Sequence, residues 1–346
     1  MKYDLSENVK PWIPGLCCYT PGKTIKGHVK LASNENNYGP TPKVKEAIKK
    51  AVDGINVYPH RDLELRKKIA EYCGVSSENI ITGNGSDESI DLIFKTFKGP
   101  VLSFNPTYAE YRIFSEALGE KYSQIDLEKD FTFPLERFIA ASRKAKILVL
   151  CSPNNPTGGV ITVEELRNVL DEGKLTVVDE AYVEFHGKSF TQLVKEYENM
   201  IILRTFSKAF ALAGLRVGYI IANPKIIELL DRVKPPFSVN SLAIEAALAA
   251  LDDQEYMQST VEKMIKDRVM LYKALKDKYT TYPSESNFIL ADVSPQRSED
   301  VYQKLLDKKI IVRNLGKYPG FSGEYIRVSV GTTEENKTFI EALKEI

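Results

Sequence analysis

The 346-residue sequence predicts an α/β protein with a large domain built on a mostly parallel β-sheet and a second, smaller α+β domain. From about residue 40 to 245, short β-branched segments alternate with longer amphipathic segments, the pattern of a parallel sheet covered by helices on both faces. After residue 240 the pattern changes, because two long helical segments precede three shorter strand-like segments. No stretch of about 18 consecutive apolar residues occurs, so no membrane span is expected.

The elements of the large domain follow from segment length and β-branched content. Strands are predicted at 79–83, 100–104, 146–150, 175–179, 200–206 and 217–222, and helices at 87–97, 109–118 and 163–173. In the smaller domain, helices are predicted at 241–251 and 254–279 and strands at 286–293, 309–315 and 324–331. We expect the large domain to span residues 36–245, and the small domain to combine residues 1–35 with residues 246–346.

Charge and cysteine content exclude several classes of protein. The 47 basic and 47 acidic residues cancel, which gives no indication of a nucleic-acid or membrane partner. The four cysteines form no CxxC pair and no zinc spacing, so neither a metal site nor a disulfide framework is expected. The N-terminal residues lack the apolar core of a signal peptide, and a cytoplasmic location is predicted.

The segment TFSKAFALAGLRVGY (205–219) places Lys208 among small apolar residues. A lysine in an apolar setting loses its proton more easily and becomes a nucleophile toward carbonyl compounds. Thr205, Ser207 and Arg216 lie close to it in the sequence and are suited to bind an anion. A nucleophilic lysine beside a phosphate-sized anion site indicates the cofactor pyridoxal 5′-phosphate.

A second part of the anion site is predicted in TGNGSDESI (82–90), where a strand ends and a helix begins. The backbone N–H groups near Gly85, Ser86 and Asp87 can face an anion there. Alternatively, Ser86 only caps the helix. The segment is not a dinucleotide-binding fingerprint, because Glu88 stands where the third glycine belongs.

Polar and aromatic side chains follow three other predicted strands. Asp179 ends the strand 175–179, where a buried carboxylate requires a cationic partner such as the protonated cofactor ring nitrogen; alternatively, it only caps a helix. Tyr182, and Asn155 in the loop CSPNNPTGG, are expected to donate hydrogen bonds to the phenolic oxygen of the ring. Tyr108, in NPTY, is expected to stack on the ring, although an aromatic residue there is also typical of a core.

Two arginines indicate a site for the anionic group of a substrate. Arg327 lies inside the apolar segment EYIRVSVGT, where an unpaired guanidinium group is costly. Arg313 lies on the preceding strand segment and is predicted to contribute a second cation. Bidentate binding of a carboxylate or a phosphate suits both side chains, with an internal salt bridge as the alternative.

In this order along the chain, GNGSDE, SPNNPTGG, VVDEAYVEF, TFSKAFALAGLRVGY and IRVSVGT resemble the motifs of the aspartate-aminotransferase-like, fold-type I pyridoxal phosphate enzymes. Within that group SKAFALAGLR, KLASNEN (30–36) and the Arg313 and Arg327 pair are similar to those of histidinol-phosphate aminotransferases. The chain departs from the family pattern at His60, where aspartate is common, and at Asn37, where proline is usual.

The resemblance implies a role for each candidate residue. Lys208 matches the Schiff-base lysine, Asp179 the partner of the ring nitrogen, and Tyr108 the stacking aromatic residue. Tyr182 and Asn155 match the donors to the phenolic oxygen, and Asn155 is also expected to contact the substrate. The positions that match the phosphate site are Gly85, Ser86, Asp87, Thr205, Ser207 and Arg216.

The remaining matches concern the substrate and a second subunit. Arg327 matches the arginine that receives the anionic group of the substrate, with Arg313 beside it. Tyr58 matches a tyrosine that contacts the cofactor phosphate of the neighbouring subunit, which implies a homodimer with shared sites. Both KPWIPG and CYTPGK resemble the entry motif of the family, so Trp12 and Tyr19 are alternative candidates for an aromatic contact to the substrate.

The expected activity is transamination between histidinol phosphate and 2-oxoglutarate, giving imidazole-acetol phosphate and glutamate, a step of histidine biosynthesis. Two alternatives use the same cofactor contacts, namely a threonine-phosphate decarboxylase and an aromatic amino-acid aminotransferase. A third, a pyridoxal-binding regulator without catalysis, is disfavoured because the chain lacks any appended DNA-binding segment.

Overall fold

The computed structural model describes residues 5–16 and 22–346, and its strands form two β-sheets. The strands are β1 Val29–Leu31, β2 Ile80–Gly83, β3 Val101–Asn105, β4 Tyr122–Asp126, β5 Ile147–Cys151, β6 Leu175–Asp179, β7 Met200–Thr205, β8 Gly218–Ala222, β9 Thr280–Thr281, β10 Phe288–Asp292, β11 Ile310–Gly316 and β12 Tyr325–Ser329. The α-helices are α1 Pro42–Ala51, α2 Asp62–Cys73, α3 Gly85–Thr96, α4 Glu110–Ala117, α5 Leu135–Ser142, α6 Val163–Leu170, α7 Val183–His186, α8 Pro224–Asp231, α9 Ser241–Leu251, α10 Gln254–Lys276, α11 Ser298–Asp307 and α12 Thr333–Lys344.

The larger sheet has seven strands in the order β2-β8-β7-β6-β5-β3-β4. Strand β8 is antiparallel to both of its neighbours, and the other strands are parallel to one another. The residues of β5, β7 and β8 are all buried, as expected for strands covered on both faces. The predicted mostly parallel sheet is therefore confirmed.

Strand β4 lies at the edge of this sheet and was not predicted. Its sequence, YSQID, is half polar, and its residues are partly or fully exposed. Among the described strands β4 pairs with β3 alone, and its other edge pairs with none of them. An edge strand of this kind does not need the β-branched, apolar pattern of the central strands, so the pattern used for prediction is missing.

The smaller sheet has five strands in the order β1-β11-β12-β10-β9. Strand β1, from the N-terminal part of the chain, pairs in parallel with β11, and the remaining pairs are antiparallel. The predicted boundary at residue 245 falls inside α9, which packs against α1 and α2. The division of the chain into residues 36–245 and the two flanking segments stays a prediction.

The parallel strands place the candidate residues at one edge of the larger sheet. Strands β5, β6 and β7 end at Cys151, Asp179 and Thr205, and their carboxyl ends meet at the same edge. Helix α3 begins at Gly85, two residues after the end of β2. This edge is where open α/β sheets bind ligands. Over residues 5–16 and 22–346, none of the helices is long and apolar enough to cross a membrane.

Candidate active site

A cavity of about 250 Å³ lies at this edge and is lined by both sheets. Ala32, Ser33 and Asn34, which follow β1, form part of its wall. The predicted residues that line it are Ser86, Asp87, Tyr108, Asn155, Asp179, Tyr182, Thr205, Ser207, Lys208, Arg216, Arg313 and Arg327. The chain thus brings together candidate groups from segments that are far apart in the sequence.

Lys208 follows β7, and its half-buried side chain lines the cavity. Its Nζ donates a hydrogen bond to the carbonyl oxygen of Ser33 at 3.2 Å and lies 5.8 Å from the centre of the Tyr182 ring. Burial lowers the pKa of Lys208 to about 8, and the positive charges of Arg327 and Arg216 act in the same direction. An amine with this pKa is partly neutral near neutral pH and can act as a nucleophile.

Asp179 ends β6 and is only 3% exposed. One carboxylate oxygen accepts a hydrogen bond from the Tyr111 hydroxyl at 2.6 Å, and the other accepts from the backbone N–H of Ala181 at 3.0 Å. Burial raises the pKa of Asp179 to about 6, although both hydrogen bonds act in the opposite direction. The group is a buried carboxylate that a cationic ligand would stabilise.

Tyr111 is fully buried and was missed by the sequence analysis. It lies three residues after Tyr108, and the two rings pack edge to face with 5.5 Å between their centres. Tyr108 precedes both the predicted helix at 109–118 and helix α4, so helical periodicity carried no signal that Tyr111 also faces the site.

The predicted anion subsite combines the start of α3 with the loop that follows β7. Arg216 donates from Nη2 to a carboxylate oxygen of Asp87 at 2.8 Å and from Nη1 to the Ser207 hydroxyl at 3.5 Å. The Ser207 backbone N–H donates to the Thr205 hydroxyl at 3.0 Å. Gly85 has a φ of +80°, which other residues rarely adopt, and a Cβ atom there would lie 2.6 Å from Arg216 Nη2, so a larger residue would displace the guanidinium group.

Only backbone groups of Asp87 were expected at this subsite, but its carboxylate also forms contacts there. One oxygen pairs with Arg216, and the other accepts a hydrogen bond from the Tyr108 hydroxyl at 3.0 Å. Ser86 is the second residue of α3, whose N-cap is Asn84. The alternative that Ser86 only caps this helix is therefore wrong.

Tyr182 presents its phenol at the cavity wall. Its oxygen accepts a hydrogen bond from Asn34 Nδ2 at 3.0 Å, and its ring packs edge to face on Phe288 with 5.1 Å between ring centres. Burial raises the pKa of both the Tyr182 and Tyr108 phenols well above the usual range, so both stay protonated.

The two arginines enter the cavity from paired strands. Arg313 of β11 lies opposite Arg327 of β12 in the sheet. Arg327 is 8% exposed and donates from Nη1 to the amide oxygen of Asn155 and from Nη2 to the carbonyl oxygen of Ala32 at 2.9 Å. Both of these acceptors are neutral oxygens.

Tyr58 and Trp12 do not line the cavity. Tyr58 is 75% exposed and stacks on Phe237, with 4.7 Å between ring centres. Trp12 donates from its indole nitrogen to the carbonyl oxygen of Ala117 at 3.0 Å. Tyr19, the alternative to Trp12, lies outside the described residues, as do Cys17 and Cys18.

Residues 26–343 match the family model for aminotransferases of class I and II, and the chain belongs to that family. It is 40% identical over 360 residues to the histidinol-phosphate aminotransferase of Methanocaldococcus jannaschii, covering 99% of this chain and 96% of the relative. It is 40% identical over 334 residues to that of Pyrococcus furiosus, covering 94% of this chain and 95% of the relative.

Among solved structures, the chain is similar to histidinol-phosphate aminotransferase from Sinorhizobium meliloti in complex with pyridoxal-5′-phosphate. The TM-score is 0.85 at 26% sequence identity, and the match covers 97% of this chain and 96% of that chain. The aminotransferase fold predicted from the motifs is thus confirmed.

Proposed function

We propose that the protein is a pyridoxal-phosphate-dependent aminotransferase that transfers the amino group of histidinol phosphate to 2-oxoglutarate, a step of histidine biosynthesis. The observation that carries this proposal is the position of Lys208, whose pKa is lowered to about 8, in one cavity with an anion subsite and two arginines. The names of the relatives and the pyridoxal-phosphate complex of the Sinorhizobium meliloti protein support both the substrate and the cofactor.

The residues present fit pyridoxal phosphate. Arg216, the Ser207 hydroxyl and the start of α3 provide donors for a phosphate group. Asp179 offers a buried carboxylate for a protonated ring nitrogen, and Tyr182 offers a protonated phenol for the ring oxygen. When bound, the cofactor supplies an electron-withdrawing ring that stabilises negative charge on the substrate carbon.

Lys208 has two functions in this account. As a neutral amine, Lys208 Nζ would hold the cofactor covalently at its carbonyl carbon, with release of water. When the amino substrate takes that place, the freed Nζ would accept the proton released from the substrate carbon that bears the nitrogen. The lowered pKa of Lys208 serves both functions, because each requires the unprotonated amine.

The arginine pair explains how one site accepts two different anions. Histidinol phosphate has a phosphate ester and no carboxylate, whereas glutamate presents carboxylates. Guanidinium groups form bidentate hydrogen bonds with either anion. We propose that Arg327 binds the anion of both substrates. Arg313 adds a second contact, on which binding of the doubly charged phosphate depends more strongly than binding of a carboxylate.

The test compares Arg313→Ala and Arg327→Ala in single-turnover half-reactions, with kcat/KM measured for glutamate and for histidinol phosphate. Loss of a charge-assisted contact costs roughly 1.5–3 kcal/mol, or about ten- to 150-fold in rate. Arg327→Ala should slow both substrates, and Arg313→Ala should slow histidinol phosphate by the larger factor.

Three outcomes would contradict parts of this proposal. Equal losses for both substrates in Arg313→Ala would make Arg313 a general or structural residue. Failure of the wild type to react with histidinol phosphate would favour an aromatic aminotransferase. Release of CO2 from a phosphorylated amino acid without any oxo-acid partner would identify a decarboxylase.

We also infer a homodimer with shared active sites. The observation that supports it is the exposure of Tyr58 and Phe237 on a surface with Ile55 and Val57, since contiguous exposed apolar side chains commonly mark an interface. The cytoplasmic location stays a prediction from the sequence.

A further inference from the structure

The three residues that follow β1 contact three central groups of the site. The carbonyl oxygen of Ala32 accepts from Arg327 at 2.9 Å, and that of Ser33 accepts from Lys208 at 3.2 Å. The side chain of Asn34 donates to the Tyr182 hydroxyl oxygen at 3.0 Å. Of the three residues that follow β1, only Asn34 makes its contact through its own side chain, so only this contact depends on the residue type at its position.

Asn34 is held in a fixed orientation. It is 1% exposed and has a φ of +56°, a conformation that asparagine, aspartate and glycine adopt more readily than other residues. Its backbone N–H donates to the Ser329 hydroxyl oxygen at 2.9 Å, and the Ser329 hydroxyl donates to Asn34 Oδ1 at 2.9 Å. The Asn34 carbonyl oxygen accepts from Asn287 Nδ2 at 3.0 Å.

These contacts determine the direction of the Tyr182 hydroxyl. Because Ser329 donates to Oδ1 of Asn34, the NH2 group of the amide faces Tyr182, and an NH2 group can only donate. The Tyr182 oxygen is therefore an acceptor toward Asn34. The single hydroxyl proton of Tyr182 therefore points away from Asn34, and the Tyr182 side chain lines the cavity.

We propose that Asn34 is a positioning residue that directs the Tyr182 proton into the cavity, so that Tyr182 donates a hydrogen bond to the phenolic oxygen of the cofactor. This inference rests on the proposed function, because the acceptor is part of pyridoxal phosphate. A hydrogen bond to the ionised form of a group lowers its proton affinity. Through Tyr182, Asn34 would thus lower the proton affinity of the bound cofactor, the chromophore of the experiment below.

Two substitutions separate this role from simple packing. Asn34→Gly retains the backbone conformation and removes the amide. Asn34→Asp retains the size and the backbone preference, but a carboxylate only accepts, so it draws the Tyr182 proton away from the cavity. The new charge of Asn34→Asp also acts on the chromophore directly, and the same substitution in a Tyr182→Phe background measures that direct effect alone.

The experiment is a pH titration of the cofactor absorbance of the loaded enzyme, without substrate and without turnover. Loss of a hydrogen bond to a charged group should raise the proton affinity of the chromophore by about tenfold or more in Asn34→Gly, and further in Asn34→Asp. In the Tyr182→Phe background, Asn34→Gly should leave the proton affinity unchanged.

An unchanged proton affinity in Asn34→Gly, or the same change with and without the Tyr182 hydroxyl, would overturn the inference. If Asn34→Gly does not fold, Ser329→Ala replaces it, because the amide then loses the contact that orients it; an unchanged titration in this variant would overturn the inference equally. A wild type that shows no absorbance of a bound cofactor at all would contradict the proposed function instead.

Discussion

The buried carboxylate of Asp179 should destabilise the cofactor-free protein, and Asp179→Asn should remove that cost. Burial raises the pKa of Asp179 from 3.8 to about 6. When the pKa of a carboxyl is higher in the folded than in the unfolded protein, the carboxyl contributes its full stabilisation only below the unfolded-state pKa, here 3.8. This stabilisation is lost as the pH rises through the folded-state pKa of about 6. Above that pH the ionised group is a net cost to folding.

The magnitude follows from the two pKa values. At pH 8 the difference between 3.8 and about 6 corresponds to about 3 kcal/mol of lost stability. At pH 4.5, where the folded-state carboxyl is almost fully protonated, the same relation gives about 1 kcal/mol. Asp179→Asn should therefore stabilise the cofactor-free protein more at pH 8 than at pH 4.5, by about 2 kcal/mol.

The assay is denaturant unfolding of the cofactor-free wild type and variant at both pH values. Asp130→Asn is the control, because hydrogen bonds from Thr132 lower the pKa of exposed Asp130, and its removal should give no stabilisation at pH 8. A stability difference for Asp179→Asn that is the same at both pH values would refute the reasoning, since a packing effect does not titrate.

Three further predictions concern the cofactor and the assembly. The rate at which cofactor-free protein captures pyridoxal phosphate, followed by absorbance, should fall about tenfold per pH unit below the Lys208 pKa of about 8; a flat profile would contradict the lowered pKa. Gly85→Ala should displace Arg216 and weaken cofactor binding at least about tenfold. Gly74→Ala is the control, because Gly74 also has a positive φ but an added Cβ atom there would meet no atom within 4 Å, so cofactor affinity should not change. Equal cofactor affinities of the two variants in titration calorimetry would contradict this prediction. Mixing inactive Lys208→Ala with Tyr58→Phe chains should restore activity in heterodimers, and a fully active monomer by light scattering would defeat the shared-site model.

Much of the fold could be predicted because the central elements are long and strongly patterned. Strand β6 and helix α9 have the predicted bounds, 175–179 and 241–251. Strands β1 and β9 were missed because they contain three and two residues, too few to show periodicity. Strand β1 exists through pairing with β11, which is distant in the sequence, and β9 exists through antiparallel pairing with the next strand, β10.

The candidate site could be predicted where a polar side chain follows a strand, because parallel strands bring their carboxyl ends to one edge. The hydrogen-bond partners of those side chains could not be predicted in the same way. Tyr111 is 68 residues from Asp179, and Asn34 is 148 residues from Tyr182, and only the folded chain brings each pair into contact. Neither contact leaves a local pattern in the sequence.

The most direct test of the central claim is to reduce the pyridoxal-phosphate-loaded protein with borohydride and to map the modified residue by peptide mass spectrometry. The cavity geometry and the lowered pKa of Lys208 predict a phosphopyridoxyl group on Lys208 and on no other lysine. Modification of a different residue, or a protein that captures the cofactor as fully after Lys208→Ala, would contradict the assignment of Lys208 as the nucleophile.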